Sequence, residues 1–143
     1  MDPRKLRILC VGDSLGMPRN GIPYDCTWFY FLNQMHSIHE YVPRFQRAMT
    51  TDNLVGSNKS DFLENYSPDI VIMQLGIVDC APRYLPELSF RLKIINRLPF
   101  GINKIFWKLW KKHKTRNPKY ANVVPPKFRK NLTDYFLRCR ATG

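Results

Sequence analysis

Acidic residues are missing from one long stretch of the chain, since none lies between Glu87 and Asp134. That stretch, residues 88–133, holds thirteen of the 23 Lys and Arg residues. The rest of the chain carries ten bases and eleven acids, so the net charge of +12 comes from this one segment. Apolar residues recur there at helical spacing, which predicts a basic helical insertion with helices over Leu85–Arg97 and Ile102–Lys114.

Long hydrophobic runs and paired cysteines are also missing. No run approaches the roughly 18 to 20 apolar residues that a bilayer-spanning helix needs. The apolar run after Lys5 is too short for a signal peptide, so we expect a cytoplasmic protein. The four cysteines form no C-x-x-C pair, which predicts free thiols, most of them packed, and argues against structural zinc. We expect neither a metal nor a cofactor.

Hydrophobic residues nevertheless make up 44% of the 143 residues, enough for the core of one domain over residues 1–143. Strands are predicted over residues 6–11, 41–45 and 70–75. Helices are predicted over Thr27–His39, from Thr50 onward, and over Lys127–Arg140. Alternating strands and helices indicate an α/β fold, a flavodoxin-like parallel sheet with helices on both faces. The apolar face of the last helix comprises Phe128, Leu132, Tyr135, Phe136 and Cys139.

Two of these strands end at glycine-containing motifs. The first strand is followed by G-D-S-L-G-M-P-R from Gly12, and the third runs into Q-L-G-I-V-D-C-A-P-R from Gln74. Together the two motifs resemble those of the SGNH, or GDSL-type, hydrolase superfamily. The resemblance covers roughly residues 5–85. In their extended form the two motifs are similar to those of a variant branch that is associated with bacterial surface-polysaccharide gene clusters.

The resemblance implies roles for particular residues. In that family the first motif carries the nucleophilic serine, and the later motif helps to form the oxyanion hole. The catalytic candidates implied here are therefore Ser14, Asp13, Gly76 and Asp79. Three of the four have a plainer structural interpretation: Ser14 as a helix cap, and the two aspartates as acceptors that organise their own loops.

The chain departs from the family pattern at three places. The family's asparagine corresponds to Val78, which has no side-chain donor, and Arg47-Ala48-Met49-Thr50 lacks the glycine expected in the loop between the motifs. No D-x-x-H motif supplies a histidine base. The chain ends at Gly143 like a helix terminus, so we expect a C-terminal truncation that removes the base. Of the three histidines, His36 and His39 are expected to lie away from the strand ends, and His113 in solvent.

Two Pro-Arg pairs follow the motifs. Because both loops leave the same edge of a parallel sheet, Arg19 and Arg83 are expected to converge on one crevice and bind an anionic part of the substrate. The alternative is that each arginine stabilises only its own loop.

These observations favour a serine ester hydrolase or acyltransferase that acts on an O-acylated carbohydrate through an acyl-enzyme. The alternative is a non-catalytic module of the same fold that binds carbohydrate or an anionic membrane surface. A phosphate or nucleotide binder is a third possibility, although the additional glycines of phosphate loops are absent. The basic segment is either a solvated insertion or a peripheral contact with the inner membrane through residues 91–116. Nucleic-acid binding is disfavoured because no recognition motif accompanies the charge.

Overall fold

The computed structural model describes residues 4–83 and 120–142, without the side chains of residues 82, 83 and 120. The two helices predicted for the basic segment, and most of the segment itself, lie outside the described residues. None of the described helices is both long enough and apolar enough to cross a bilayer.

The described core of the fold is a three-stranded parallel sheet. Its strands are β1 (Arg7–Gly12), β2 (Glu40–Phe45) and β3 (Ile70–Gln74), in the order β2-β1-β3. All three strands were predicted within one residue of their observed ends. The order places β1 in the centre, and its register sets Gly12 opposite both Phe45 and Gln74.

The helices connect and flank these strands. The described α-helices are α1 (Trp28–Met35), α2 (Thr51–Val55), α3 (Ile77–Cys80) and α4 (Pro125–Thr142). Short 3-10 helices occupy Ser14–Gly16, Tyr24–Cys26 and Lys59–Phe62, and a two-stranded antiparallel ribbon pairs β4 (Pro82–Arg83) with β5 (Tyr120–Ala121).

The ends of two helices differ from the sequence prediction. Thr27 caps α1, where its hydroxyl accepts the Tyr30 N–H at 3.2 Å, but the helix stops at Met35 because His36 leaves the helical region (φ −132°, ψ 49°). The last helix begins at Pro125, two residues early, since proline suits a first turn where no N–H bond is needed.

Side chains of β1 alternate between two cores. Leu9 and Val11 pack with α2 and α4 on one face, whereas Ile8 and Cys10 pack with Phe29 of α1 on the other. The predicted α/β class, with helices on both faces of a parallel sheet, is therefore confirmed.

The four thiols are free, but only part of the packing prediction holds. Cys10 is buried and Cys139 half-buried, whereas Cys26 and Cys80 are exposed. Burial raises the pKa of Cys10 to about 11, which keeps that thiol protonated and unreactive at neutral pH.

Helix α4 buries a polar side chain that its apolar pattern did not predict. Phe136, on the predicted apolar face, is 49% exposed, while Asn131 is buried together with Tyr135 of that face. Arg138 donates to both carboxylate oxygens of Glu64 and to the carbonyls of Leu54 and Lys59. One guanidinium thus joins α4 to α2 and to the third 3-10 helix, and its planar fork suits several acceptors at once.

We predict that Arg138→Ala lowers the free energy of unfolding by about 1–3 kcal/mol at pH 7, because two carbonyls and a carboxylate lose their donor. Arg140→Ala, on the exposed side of the same helix, is expected to change it by less than about 0.5 kcal/mol. Urea unfolding of the two variants measures the difference.

The hydrogen bond from Arg138 lowers the pKa of Glu64 below its ordinary value. A lowered folded-state pKa contributes stability above the unfolded value and loses it as pH falls through the folded one. The effect of Arg138→Ala should therefore shrink below about pH 4. An undiminished effect at pH 3 would show that the carbonyl bonds alone matter.

Candidate active site

Three loops meet at the carboxyl edge of the sheet. The Asp13 N–H donates to the Gln74 carbonyl at 3.3 Å, and the Gln46 N–H donates to the Gly12 carbonyl at 3.0 Å. The segments that follow β1, β2 and β3 therefore start side by side. The two motifs identified in the sequence lie next to each other at the edge where α/β proteins bind ligands.

Ser14 lies at the start of the first of these loops. It is the first residue of a 3-10 helix and is partly exposed. Within the described part of the chain its hydroxyl has no hydrogen-bond partner. Its carbonyl accepts the Met17 N–H at 3.2 Å, which closes the turn. The side chain is therefore not used as a cap.

Asp13 performs the capping instead. It is 1% exposed, and its Oδ1 accepts the Leu15 N–H at 2.9 Å and the Gln74 side-chain amide at 3.3 Å. These bonds fix the turn around Ser14 and attach it to the end of β3. Of the two roles considered for Asp13, the geometry displays the loop-organising one.

Gly16 allows the Ser14 turn to lie directly on the core. A Cβ at this position would stand 2.7 Å from the ring of Phe45. That ring packs edge-on against Trp28 and Phe29, so it has little room to move. The two aromatic side chains of α1 therefore support the turn through the ring of Phe45.

The second motif forms a short helix where the sequence predicted a loop. Gly76 precedes it with φ 115°, a conformation that an L side chain rarely adopts. Asp79 is fully buried, and its Oδ1 accepts both the N–H of Thr51 at 2.8 Å and its hydroxyl at 2.7 Å. Its Oδ2 is buried without a hydrogen-bond partner among the described residues. Asp79 thus binds the start of α2.

The middle loop, residues 46–50, adopts the conformation of the glycine that it lacks. Ala48 has φ 57°, in the left-handed region that favours glycine. Arg47 donates from Nη2 to the Pro18 carbonyl at 3.0 Å, which links this loop to the one that carries Ser14. An alanine thus occupies a left-handed backbone position in a loop that is attached to the Ser14 loop by a side chain.

A segment far along the chain covers α3. Asn122 donates from its amide to the Val78 carbonyl at 2.7 Å, and the Val123 N–H donates to the Asp79 carbonyl at 3.2 Å. The predicted site residues did not include Asn122, Thr51, Arg47 or Gln74. Local signals existed for two of them, since Arg47 lies in the loop between the motifs and Gln74 ends a strand directly before a candidate motif.

The predicted arginine pair is only partly described. Arg19 is exposed, and its backbone pairs with Ile22 in both directions, at 2.9 and 2.8 Å. Arg83 lies in β4, but its side chain is outside the described part of the structure. Their convergence stays a prediction.

Two histidines lie far from this edge. His39 accepts the Leu6 N–H at 3.4 Å through Nδ1, beside the amino ends of β1 and β2. His36 ends α1 and is exposed. His113 lies outside the described residues.

The chain has a distant likeness to solved structures. No family model matches the chain, and no curated protein matches its sequence. Solved structures that match include a protein from Desulfitobacterium hafniense DCB-2 whose name assigns it to the lipolytic G-D-S-L family. It shares 14% identity and a TM-score of 0.46, with 96% of this chain and 71% of that chain covered.

We predict that Ala48→Gly raises the free energy of unfolding by up to about 1 kcal/mol, because glycine removes the Cβ strain of a positive φ. Ala81→Gly, at φ −56°, should lower it by about 0.5–1 kcal/mol through added freedom in the unfolded chain. Chemical denaturation compares the two. Equal losses in both variants would contradict the left-handed backbone at residue 48.

Proposed function

We propose that the protein is a serine ester hydrolase or acyltransferase that acts on an O-acylated carbohydrate. The observation that carries the proposal is the hydroxyl of Ser14. It is unpaired among the described residues and lies at the sheet edge between the turns of Ala48 and Gly76. A nucleophile on a rigid strand end with backbone donors beside it is the arrangement that acyl transfer requires.

In the proposed reaction, Ser14 Oγ attacks the ester carbonyl carbon, and the C–O bond to the sugar breaks. The developing oxyanion is held by the Ser14 N–H and by the Ala48 N–H, since the N–H groups of Met49 and Thr50 already donate to the Gln46 carbonyl and to Asn53 Oδ1. A base takes the hydroxyl proton and returns it to the leaving sugar hydroxyl. Water or a second alcohol then removes the acyl group. We assign the base to a group that the described residues do not include, because His36 and His39 lie at the opposite edge.

The proposed oxyanion-binding site lacks one side-chain donor, at residue 78. Valine offers no donor there, and loss of one oxyanion donor typically costs about 3–4 kcal/mol of transition-state stabilisation. The nearby amide of Asn122 already donates to the Val78 carbonyl. We therefore expect slower chemistry than a full set of donors would allow.

A polar groove beside the middle loop supports a carbohydrate substrate. It encloses about 310 Å³ and begins at Gln46, which lies at the same sheet edge as Ser14. Its side-chain amides, hydroxyls and carboxylates are suitable partners for sugar hydroxyls. The lining residues include Gln46, Asp52, Asn53, Ser57, Asn58 and Asp61.

The first test is covalent labelling by a fluorophosphonate probe, read by intact mass and by peptide mapping. The wild-type chain should be labelled on Ser14, and Ser14→Ala should not be labelled. Ser57→Ala is the matched control, since Ser57 is an exposed serine in the adjacent groove, and it should be labelled like the wild type. Absence of label from the wild type, or label that persists in Ser14→Ala, would contradict the proposal.

The second test concerns the charge of the substrate. We expect Arg19→Met and Arg83→Met each to raise KM for an anionic ester several-fold, by about tenfold if a charge-assisted bond is lost. A neutral ester of the same alcohol should keep its KM. Steady-state kinetics on the ester pair measures this, and equal changes for both esters would remove the arginines from the substrate site.

A non-catalytic carbohydrate-binding module is the second candidate. Val78 at the donor position and the placement of His36 and His39 favour it.

We further propose that residues 88–133 form a basic insertion in a single domain and that residues 91–116 contact an anionic membrane surface. Both depend on the cationic and aromatic composition of that segment.

A further inference from the structure

Three polar side chains from three separate elements are buried together behind the candidate site. Thr51 and Asp79 have no exposed surface, and Asn131 is 3% exposed. They belong to the first turn of α2, to α3, and to α4. Buried polar groups need partners, and these three supply them largely to one another.

The hydrogen bonds have a defined direction. Thr51 Oγ1 gives its single proton to Asp79 Oδ1 at 2.7 Å, so it must accept at 3.2 Å from the amide of Asn131. The other amide proton of Asn131 goes to Asp52 Oδ1 at 2.7 Å, and Lys127 donates to Asp52 Oδ2 at 2.7 Å. Helix α4 therefore holds the first turn of α2 through two adjacent residues.

Stability alone does not account for this cluster. Asp79 Oδ2 is buried with no partner among the described residues, and a half-satisfied buried carboxylate is worse for stability than an apolar side chain. Side chains that violate packing rules in this way are concentrated at functional sites. The cluster also adjoins the loop that carries the strained Ala48.

We propose that Thr51 and Asn131 are positioning residues for the oxyanion-binding backbone. Through Asp79 they hold the end of the Ala48–Thr50 turn, while Arg47 ties its beginning to the Pro18 carbonyl. The Ala48 N–H, the one donor of this turn with no acceptor among the described residues, is thereby kept in place on the loop next to that of Ser14. This inference rests on the proposed function, and it assigns to α4 a part in the site that neither motif contains.

The test compares Thr51→Val, Thr51→Ser and Tyr135→Phe in the full chain. Valine keeps the volume of threonine but neither accepts from Asn131 nor donates to Asp79. Serine retains both bonds. Tyr135→Phe is the matched control, because it removes another buried hydrogen bond of α4, the one of 2.8 Å to the Phe62 carbonyl, outside the cluster.

The quantities to be measured are kcat and KM on p-nitrophenyl acetate, the rate of fluorophosphonate labelling of Ser14, and Tm. Thr51→Val should lower kcat and the labelling rate at least about tenfold, since a small displacement of a donor has effects of that size. Its KM should change less than about twofold, and Thr51→Ser should recover most of the rate. Tyr135→Phe should lower Tm with kcat intact.

Asn131→Ala, which leaves both Thr51–Asp79 bonds in place, should lower kcat and is used if Thr51→Val does not fold.

Two results would overturn the inference while the proposed function stands: a wild-type rate in folded Thr51→Val or Asn131→Ala, or a loss of rate in Tyr135→Phe that matches theirs at equal loss of Tm. Failure of Thr51→Ser to recover the rate would also count against it. If wild-type protein is neither labelled on Ser14 nor active, the proposed function itself fails, and the positioning role fails with it.

Discussion

Parallel pairing on both sides of β1 is the constraint on which the rest of the structure depends. Because β2 and β3 run in the same direction as β1 and end opposite Gly12, the three following loops leave the sheet at one edge. The motifs at the ends of β1 and β3 are therefore neighbours through the sheet itself. The backbone register alone places Ser14 beside the turn at Gly76, and the helices on both faces keep that register by burying alternate residues of β1.

Buried aspartates then convert this shared edge into a defined geometry. Asp13 binds the N–H of Leu15 and the amide of Gln74, and Asp79 binds the N–H and hydroxyl of Thr51. Each carboxylate thus joins two loops. Carboxylates beside a serine hydroxyl are easily interpreted as acids or bases, but in each of these two the Oδ1 atom accepts from backbone and side-chain donors of nearby segments.

The strands and the caps of this fold were predictable because their signals are local. A run of apolar residues that stops at glycine predicts a buried strand, and Thr27 and Thr50 predict helix starts because their side chains occupy free backbone groups. The early end of α1 and the exposure of Phe136 were not predictable in this way. Helical periodicity assigns a face to a helix, but the neighbours that touch that face belong to other parts of the chain, and here they accept the polar Asn131.

By itself, the sequence determined the class of fold, the position of Ser14 at a strand end and the confinement of positive charge to one segment, since each is a property of adjacent residues. Only the tertiary structure decided that Thr51, Asn131 and Asn122 belong beside the site, and that Ala48 takes a glycine-like conformation. The reason is physical: a hydrogen bond between residues 80 positions apart leaves no trace in the local pattern, and a positive φ is imposed on alanine by the contacts at both ends of its turn.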